Sequence, residues 1–180
     1  MTSALVLLPE GFEELEAVAP IDVLRRAGVD VVVAGLTANP LVTGRCGMTL
    51  RVDTPLDGVP AVRIFDLLLL PGGPGVKLLR ADARVKARVV AQYTAGRWLA
   101  AICAAPTVLG DAGLLAGRRY TCHPSVAAEL PDRLADERVV VDGSIITSRG
   151  AGTAIDFGLV LAGLLVSPAQ RDEVARAICA

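Results

Sequence analysis

Short runs of aliphatic residues recur along the chain, and segments with helical spacing separate them. Aromatic residues make up only 3% of the 180 residues, so a core must be built from Val, Leu, Ile and Ala. That composition is typical of parallel strands covered by helices on both faces. The alternation predicts one α/β domain over residues 1–180, a three-layer sandwich with a mostly parallel sheet. The predicted buried strands are Ala4–Leu8, Val29–Gly35, Leu67–Gly73 and Trp98–Ile102.

The segments between these strands carry helix signals. EELEAVAPIDVLRRAG has helical spacing and two arginines before Gly28, which suit a helix C-terminus. Thr153 with Asp156, and Ser167-Pro168 with Gln170, resemble capping boxes and predict two late helices. Further helices are predicted at Ala83–Gly96 and Thr107–Ala112, and further strand-like pieces at Tyr120–Cys122, Val139–Val141 and Ser144–Ser148.

Charge and hydropathy narrow the class of protein. The formal net charge is −1 and no basic run occurs, so nucleic acid is not expected as a partner. The apolar stretch Phe157–Val166 is too short to span a bilayer, and Ala4–Leu8 has no basic leader, so neither a membrane span nor a signal peptide is expected. The four cysteines form no C-x-x-C pair, which favours reduced thiols in a cytoplasmic protein without a metal.

Cys103 lies where a buried strand meets a run of small residues. A strand that ends at Ile102 and a helix near Thr107 place it in a sharp turn, as in a nucleophile elbow. Free N–H groups at that helix start would stabilise a thiolate and lower the pKa of the cysteine. A buried core cysteine is an equally good interpretation of this stretch alone, because the glycines that flank hydrolase nucleophiles are absent.

Three other turns fall at predicted strand ends, where ligands bind in parallel sheets. Glu16 follows the first strand among apolar neighbours, where its pKa would rise, although an ordinary surface glutamate is favoured from this stretch alone. Glu13 and Glu14 are most simply a solvated helix start. The PGGPG turn could offer the Gly73 N–H to an oxyanion, or be a plain turn. His123, the single histidine, precedes a proline and could equally be a structural imidazole.

Together these stretches resemble the DJ-1/PfpI superfamily, and its DJ-1 branch most. The resemblance implies a flavodoxin-like α/β sandwich that forms a homodimer. It also implies that Cys103 is the reactive cysteine, that Glu16 hydrogen-bonds it, that His123 is a nearby imidazole, and that the backbone at Gly72, Gly73 and Ala104 forms an anion pocket. The matching pieces, which span almost the whole chain, are ALVLLPEGFEELEAVAPIDVLRRAG, VVVAGL, LLLLPGGPG, AAICAAPTVL, His123-Pro124 and ITSRGAGTAIDFGL.

Two positions depart from the family pattern. Ala104 stands where the family's peptidases have a histidine directly after the cysteine, so a PfpI-type peptidase is not expected. Gly44-Arg45-Cys46 stands where the DJ-1 branch has Cys-Ser-Arg, and Arg51 replaces a further cysteine. We expect Arg45 to take over the role of the family arginine at the dimer interface.

The resemblance implies a cofactor-independent enzyme. The leading hypothesis is a glutathione-free glyoxalase or deglycase that acts on small α-oxoaldehydes or on glycated protein. An alternative hypothesis is a redox-sensing stress protein or chaperone whose Cys103 oxidises to a sulfinate, which Glu16 would hold. A hydrolase of the class I amidotransferase type is a weaker alternative, because it needs a late histidine and glutamate, and His123 is the single histidine.

Overall fold

The computed structural model describes residues 2–180, and two groups of strands organise it. The central strands are β1 (Ser3–Leu8), β2 (Asp30–Gly35), β5 (Thr54–Pro55), β6 (Leu67–Leu70), β7 (Trp98–Ile102), β8 (Val139–Asp142) and β9 (Ile145–Ser148). They form one sheet in the order β5-β2-β1-β6-β7-β9-β8, in which only β8 runs antiparallel to its neighbour. A separate hairpin consists of β3 (Leu41–Thr43) and β4 (Thr49–Arg51).

Helices cover both faces of this sheet. Alternate side chains of β1 point to opposite faces, as the pleat of a strand requires. Leu5 and Leu7 belong to a core with the helices at 76–81, 83–94 and 106–111, while Val6 and Leu8 belong to a second core with the helices at 14–26 and 154–165. The predicted α/β sandwich with a mostly parallel sheet is therefore confirmed. The helices are α1 (Glu14–Arg26), α2 (Val76–Ala81), α3 (Ala83–Thr94), α4 (Pro106–Asp111), α5 (Ala154–Leu165) and α6 (Pro168–Ala177).

One predicted strand is wrong. Tyr120–Cys122 is not a strand, because its backbone bonds to a loop and a side chain: the Tyr120 carbonyl accepts from the Leu134 N–H (2.8 Å). The segment lies across the strand ends instead. The Thr121 N–H donates to the side-chain oxygen of Thr147 (2.9 Å), and the Thr121 hydroxyl donates to the Leu134 carbonyl (2.8 Å).

The two predicted capping boxes have different outcomes. Ser167 does cap α6, since its hydroxyl accepts from the Gln170 N–H at 3.1 Å. Thr153 makes no such bond to α5, because its hydroxyl is already bonded to the Gly150 carbonyl (2.8 Å) and to the Ser148 hydroxyl (2.7 Å). Asp156 pairs with Arg138 instead of closing a box.

The order of the strands brings three loops together. β1, β6 and β7 are adjacent and parallel, so the turns after them meet at one edge of the sheet. These are the PEGFEE, PGGPG and CAAP turns in which the candidate residues lie. Within residues 2–180, no helix combines the length and the apolar character that a bilayer crossing requires.

The long connection between β5 and β6 depends on a buried cation. Arg88 of α3 is only 9% exposed, and its guanidinium donates to the carbonyls of Val59 (3.0 Å), Pro60 (3.2 Å) and Arg63 (3.1 Å). The Pro60 carbonyl also accepts from the Arg63 N–H (3.0 Å), whereas Arg88 is the one donor to the Val59 and Arg63 carbonyls within residues 2–180. The guanidinium therefore anchors the connection to α3.

We predict that Arg88→Met lowers the free energy of unfolding by about 3 kcal/mol, because it leaves the Val59 and Arg63 carbonyls without this donor while it keeps an apolar side chain. Urea unfolding measures the change. The control is Lys86→Met on the exposed side of the same helix, expected within about 0.5 kcal/mol of the parent. Equal stability of the two variants would contradict the anchoring role.

Candidate active site

Cys103 occupies a strained turn between β7 and α4. Its φ is +64°, in the left-handed region that residues with a side chain rarely adopt. Its N–H donates to the Ser148 carbonyl (2.9 Å), and its carbonyl accepts from the His123 N–H (2.8 Å), so both neighbouring segments hold the turn in place. Pro106 begins α4, as predicted. The elbow geometry predicted for Cys103 is therefore confirmed.

Glu16 comes to this turn from α1. It is 1% exposed, so the interpretation as a surface glutamate is wrong. Its Oε2 accepts from the Gly72 N–H at 3.0 Å, and its carboxyl also interacts with the Cys103 thiol and the Ala151 N–H. The first helix, the turn after β6 and the elbow therefore meet at one carboxyl group.

The two glycines of the PGG turn direct their N–H groups to different acceptors. Gly72 gives its N–H to Glu16, and a Cβ there would lie 2.6 Å from the Cβ of Cys103, so only glycine fits. Gly73, at a φ of +93°, directs its N–H to the Cys103 sulfur, as Ala104 does. The N–H groups of Gly73 and Ala104 therefore face the Cys103 sulfur, whereas that of Gly72 binds Glu16, and the anion pocket itself stays a prediction.

Burial controls the charges of the pair. Burial raises the pKa of Glu16 to about 7, although hydrogen bonds from Cys103 and Gly72 lower it. Burial also raises the pKa of the Cys103 thiol to about 12, and the negative charge of Glu16 adds to the rise. The Gly73 and Ala104 N–H groups lower the pKa of the thiol but do not outweigh these effects. The predicted lowering by N–H groups is therefore present, but the pKa of Cys103 rises overall because burial and the charge of Glu16 are larger effects.

His123 lies at the exposed side of the same site. Gly150 separates it from Glu16: a Cβ on Gly150 would lie 3.3 Å from His123 Cδ2 and 3.8 Å from Glu16 Oε1. Its Nδ1 accepts from the Ser125 N–H (3.1 Å) and lies 2.8 Å from the Ser125 hydroxyl. An Nδ1 that accepts leaves the proton of a neutral ring on Nε2, where it is available as a donor.

The neighbouring glutamates are structural. Glu13 caps α1, since its carboxylate accepts from the Glu16 N–H at 2.9 Å. Glu14 is 6% exposed rather than solvated, because its Oε1 accepts from the Cys46 N–H (2.7 Å) and fixes the β3–β4 hairpin. Arg45 and Cys46 themselves are exposed on that hairpin, beside the site loops.

Comparison with known proteins identifies the family of this site. The DJ-1/PfpI family model matches residues 2–163. The chain belongs to the DJ-1/PfpI family. It is 39% identical to Drosophila melanogaster protein dj-1beta over 98% of this chain and 96% of that protein, and the crystal structure of that protein superposes with a TM-score of 0.93 over 99% of this chain and 97% of the other.

Two further DJ-1/PfpI relatives are similar. A Caenorhabditis elegans protein named glutathione-independent glyoxalase DJR-1.2 is 35% identical over 98% of this chain and 96% of its own. The structure described as Toxoplasma gondii DJ-1, oxidized, is 33% identical, with a TM-score of 0.94 over 99% of this chain and 98% of the other. The resemblance seen in the sequence is thus confirmed at the level of the family.

Three contributors to this DJ-1/PfpI site are not among the predicted residues. Gly150 and Ala151 pack against the Glu16 carboxyl, and Ser125 bonds the His123 ring. Gly150 and Ala151 lie within the ITSRGAG stretch that carried the family resemblance, so a signal existed for them. Ser125 had none, because a serine two residues after a histidine is common in turns.

We predict that Glu16→Gln removes a pH dependence of stability. Because the folded state raises the pKa of Glu16 from 4.5 to about 7, the folded chain binds more protons than the unfolded chain between these values. The free energy of unfolding therefore falls as pH rises through this window, by about 3 kcal/mol in total. Cys103 stays protonated in both states there, since its pKa starts at 9.0 and rises.

Urea unfolding at about pH 5 and about pH 8 tests this sign. The free energy of unfolding of the parent should fall between these pH values, and that of Glu16→Gln should lack this fall. The stability of the variant relative to the parent should therefore be about 3 kcal/mol higher at the higher pH. The exposed carboxyl of Glu173 supplies the control, Glu173→Gln. A parent and a Glu16→Gln variant with parallel pH profiles would show that Glu16 titrates normally.

Proposed function

We propose that the chain is a cofactor-independent glyoxalase. It converts α-oxoaldehydes such as methylglyoxal and glyoxal, free or as early adducts on protein, to 2-hydroxy acids. The observation that carries the proposal is the Cys103 thiol, held between two N–H donors and a buried carboxyl whose pKa is about 7. The similarity to a relative named as a glutathione-independent glyoxalase supports it.

The first step joins the sulfur to the aldehyde carbon. As this bond forms, the thiol proton passes to the ionised carboxyl of Glu16, which acts as a general base. The aldehyde oxygen becomes an oxyanion that accepts from the Gly73 and Ala104 N–H groups, and protonation gives a hemithioacetal. The raised pKa of Glu16 suits a group that must take and return a proton near neutral pH.

The second step moves a proton between two carbons. Glu16 removes the proton from the carbon bonded to sulfur, and an enediolate forms. The Nε2–H of His123 donates to the oxygen of the neighbouring carbon, which becomes a hydroxyl. Return of the carbon-bound proton to that neighbouring carbon, with loss of the O–H proton from the carbon that bears sulfur, gives a 2-hydroxyacyl thioester. Water then cleaves the thioester, so methylglyoxal and water give lactate and free Cys103 without any oxidant or reductant.

We predict that the purified chain forms lactate from methylglyoxal without glutathione. Cys103→Ser should lower the rate by more than about a thousandfold, because the hydroxyl is a far weaker nucleophile in this site. NMR of the product measures both rates. The matched control is Cys179→Ser, which changes an exposed thiol near the C-terminus.

Undiminished lactate formation by Cys103→Ser would exclude the covalent mechanism. Absence of turnover by the parent would exclude the glyoxalase proposal altogether. Release of lactate from methylglyoxal-treated peptide, measured in parallel, decides whether adducts are substrates as well as free aldehyde.

The second candidate function is redox sensing. The same two N–H donors and the carboxyl of Glu16 could hold the oxygens of a cysteine sulfinate. One structural relative is described as an oxidized DJ-1, which supports the alternative for that protein. Oxidation by two equivalents of peroxide would convert the thiol to the sulfinic acid and release two water molecules.

A peroxide titration followed by intact and peptide mass tests this function. Redox sensing predicts that Cys103 gains two oxygen atoms before any of the other three cysteines is modified. Oxidation of Cys46 or Cys179, both exposed, while Cys103 remains a thiol would exclude it.

We also propose a second copy of the chain as the partner. Leu15 (58% exposed) and Val18 (43% exposed) lie one turn apart on α1, and Met48 (61% exposed) lies on the hairpin that Glu14 ties to that helix. Apolar surface of this kind favours association. We propose that Arg45, which is exposed on the same hairpin, lies at this interface.

A further inference from the structure

A surface cavity of about 490 Å³ adjoins the anion pocket. Gly73 and Ala104, whose N–H groups face Cys103, line part of its wall. Lys77 and Arg80 of α2 line another part. Methylglyoxal is no larger than a few water molecules, each with a share of about 30 Å³ of the liquid. The cavity therefore has room for a substituent beyond the two carbons that react.

The charges around the cavity are unequal. The charge of Arg80 is more than compensated, because its guanidinium binds two carboxylates, Asp111 (2.7 Å) and Glu129 (2.7 Å), at the protein surface. Lys77 has no hydrogen bond and no ion pair with any of residues 2–180, and no carboxylate lines the cavity. Its ammonium is the one cationic group of the cavity wall without a carboxylate partner.

The remaining wall offers few competing polar groups. The Thr107 hydroxyl donates to the Ala104 carbonyl at 2.7 Å and is therefore occupied. Pro74, Val76, Ala81 and Val126 contribute apolar surface. A short apolar chain with an anionic end would cover this surface and reach the ammonium.

We propose that the cavity is a subsite for an anionic group on the substrate, so that the preferred α-oxoaldehydes carry a carboxylate or a phosphate. The proposal rests on the proposed glyoxalase function and names its substrate class. The aldehyde carbon lies at Cys103, its oxygen at the Gly73 and Ala104 N–H groups, and the anionic end at Lys77. Because Lys77 is flexible and solvated, its contribution is modest and depends on salt.

The test compares an acid with its neutral ester. The substrates are 4,5-dioxopentanoate, which with water gives 2-hydroxyglutarate, and its methyl ester. We expect the parent to use the acid with a kcat/KM about fivefold higher at low salt. Hydroxypyruvaldehyde phosphate, compared with unphosphorylated hydroxypyruvaldehyde, decides between a preference for carboxylate and one for phosphate.

The two lysines of the chain provide matched variants. Lys77→Gln should reduce the acid-to-ester ratio to about one, and Lys77→Glu should invert it. Lys86→Gln, on an exposed part of α3 outside this cavity, should retain the ratio of the parent. Equal use of acid and ester by the parent, or an unchanged ratio in Lys77→Gln, would overturn the subsite while the glyoxalase function stands.

Protection of Cys103 from alkylation tests binding at the subsite independently of turnover. If the acid slows iodoacetamide labelling of Cys103 more than the ester does, and Lys77→Gln loses the difference, the subsite is supported even without turnover. If turnover fails and protection by acid and ester is equal, both the subsite and the proposed function are overturned.

Discussion

The hydrogen bond between the Gly72 N–H and the Glu16 carboxyl is the contact on which the site depends. It joins α1 to the turn after β6 at the point where the elbow after β7 arrives. Because β1, β6 and β7 are neighbouring parallel strands, the three loops that follow them lie next to one another at the same edge of the sheet. A buried carboxyl at their junction is unfavourable when ionised, and the N–H groups of Gly72 and Ala151 offset part of that cost.

Close approach of the backbone makes this junction possible. A Cβ on Gly72 would collide with Cys103 and Glu16, and a Cβ on Gly150 would crowd His123. Farther along, a Cβ on Gly158 of α5 would lie 3.1 Å from the Cα of Pro20 in α1. The missing side chain lets α1 pack tightly on α5, which seats Glu16 against the elbow. The geometry of the site therefore depends partly on glycines, which have no side chain that could take part in a reaction.

Much of this arrangement is predictable from the sequence. Aliphatic runs located the main strands of the sheet within one to three residues at each end, and the run of small residues around Cys103 located the elbow. The hairpin at 41–51 and α2 were not predicted, because their short segments show too little periodicity. Burial was also missed: Glu14 and Glu16 look alike in sequence, and both are buried only because of segments far along the chain, the hairpin for Glu14 and the turn at Gly72 for Glu16. The pKa of Cys103 was misjudged for the same reason, since helix N–H groups are a local feature and burial is not.

The proton shared by Glu16 and Cys103 distinguishes the two candidate functions physically. A peroxide sensor needs a standing thiolate, because the thiolate is the species that oxidises. A thiol that adds to an aldehyde needs only a base at the moment of attack, and the base can be a neighbour. The pKa of Glu16 is about 7 and that of Cys103 is about 12. At a pH between these values the pair holds one proton, which lies on sulfur, and the carboxylate can accept it. This arrangement favours addition triggered by a bound aldehyde over steady oxidation, and for this reason the aldehyde chemistry comes first.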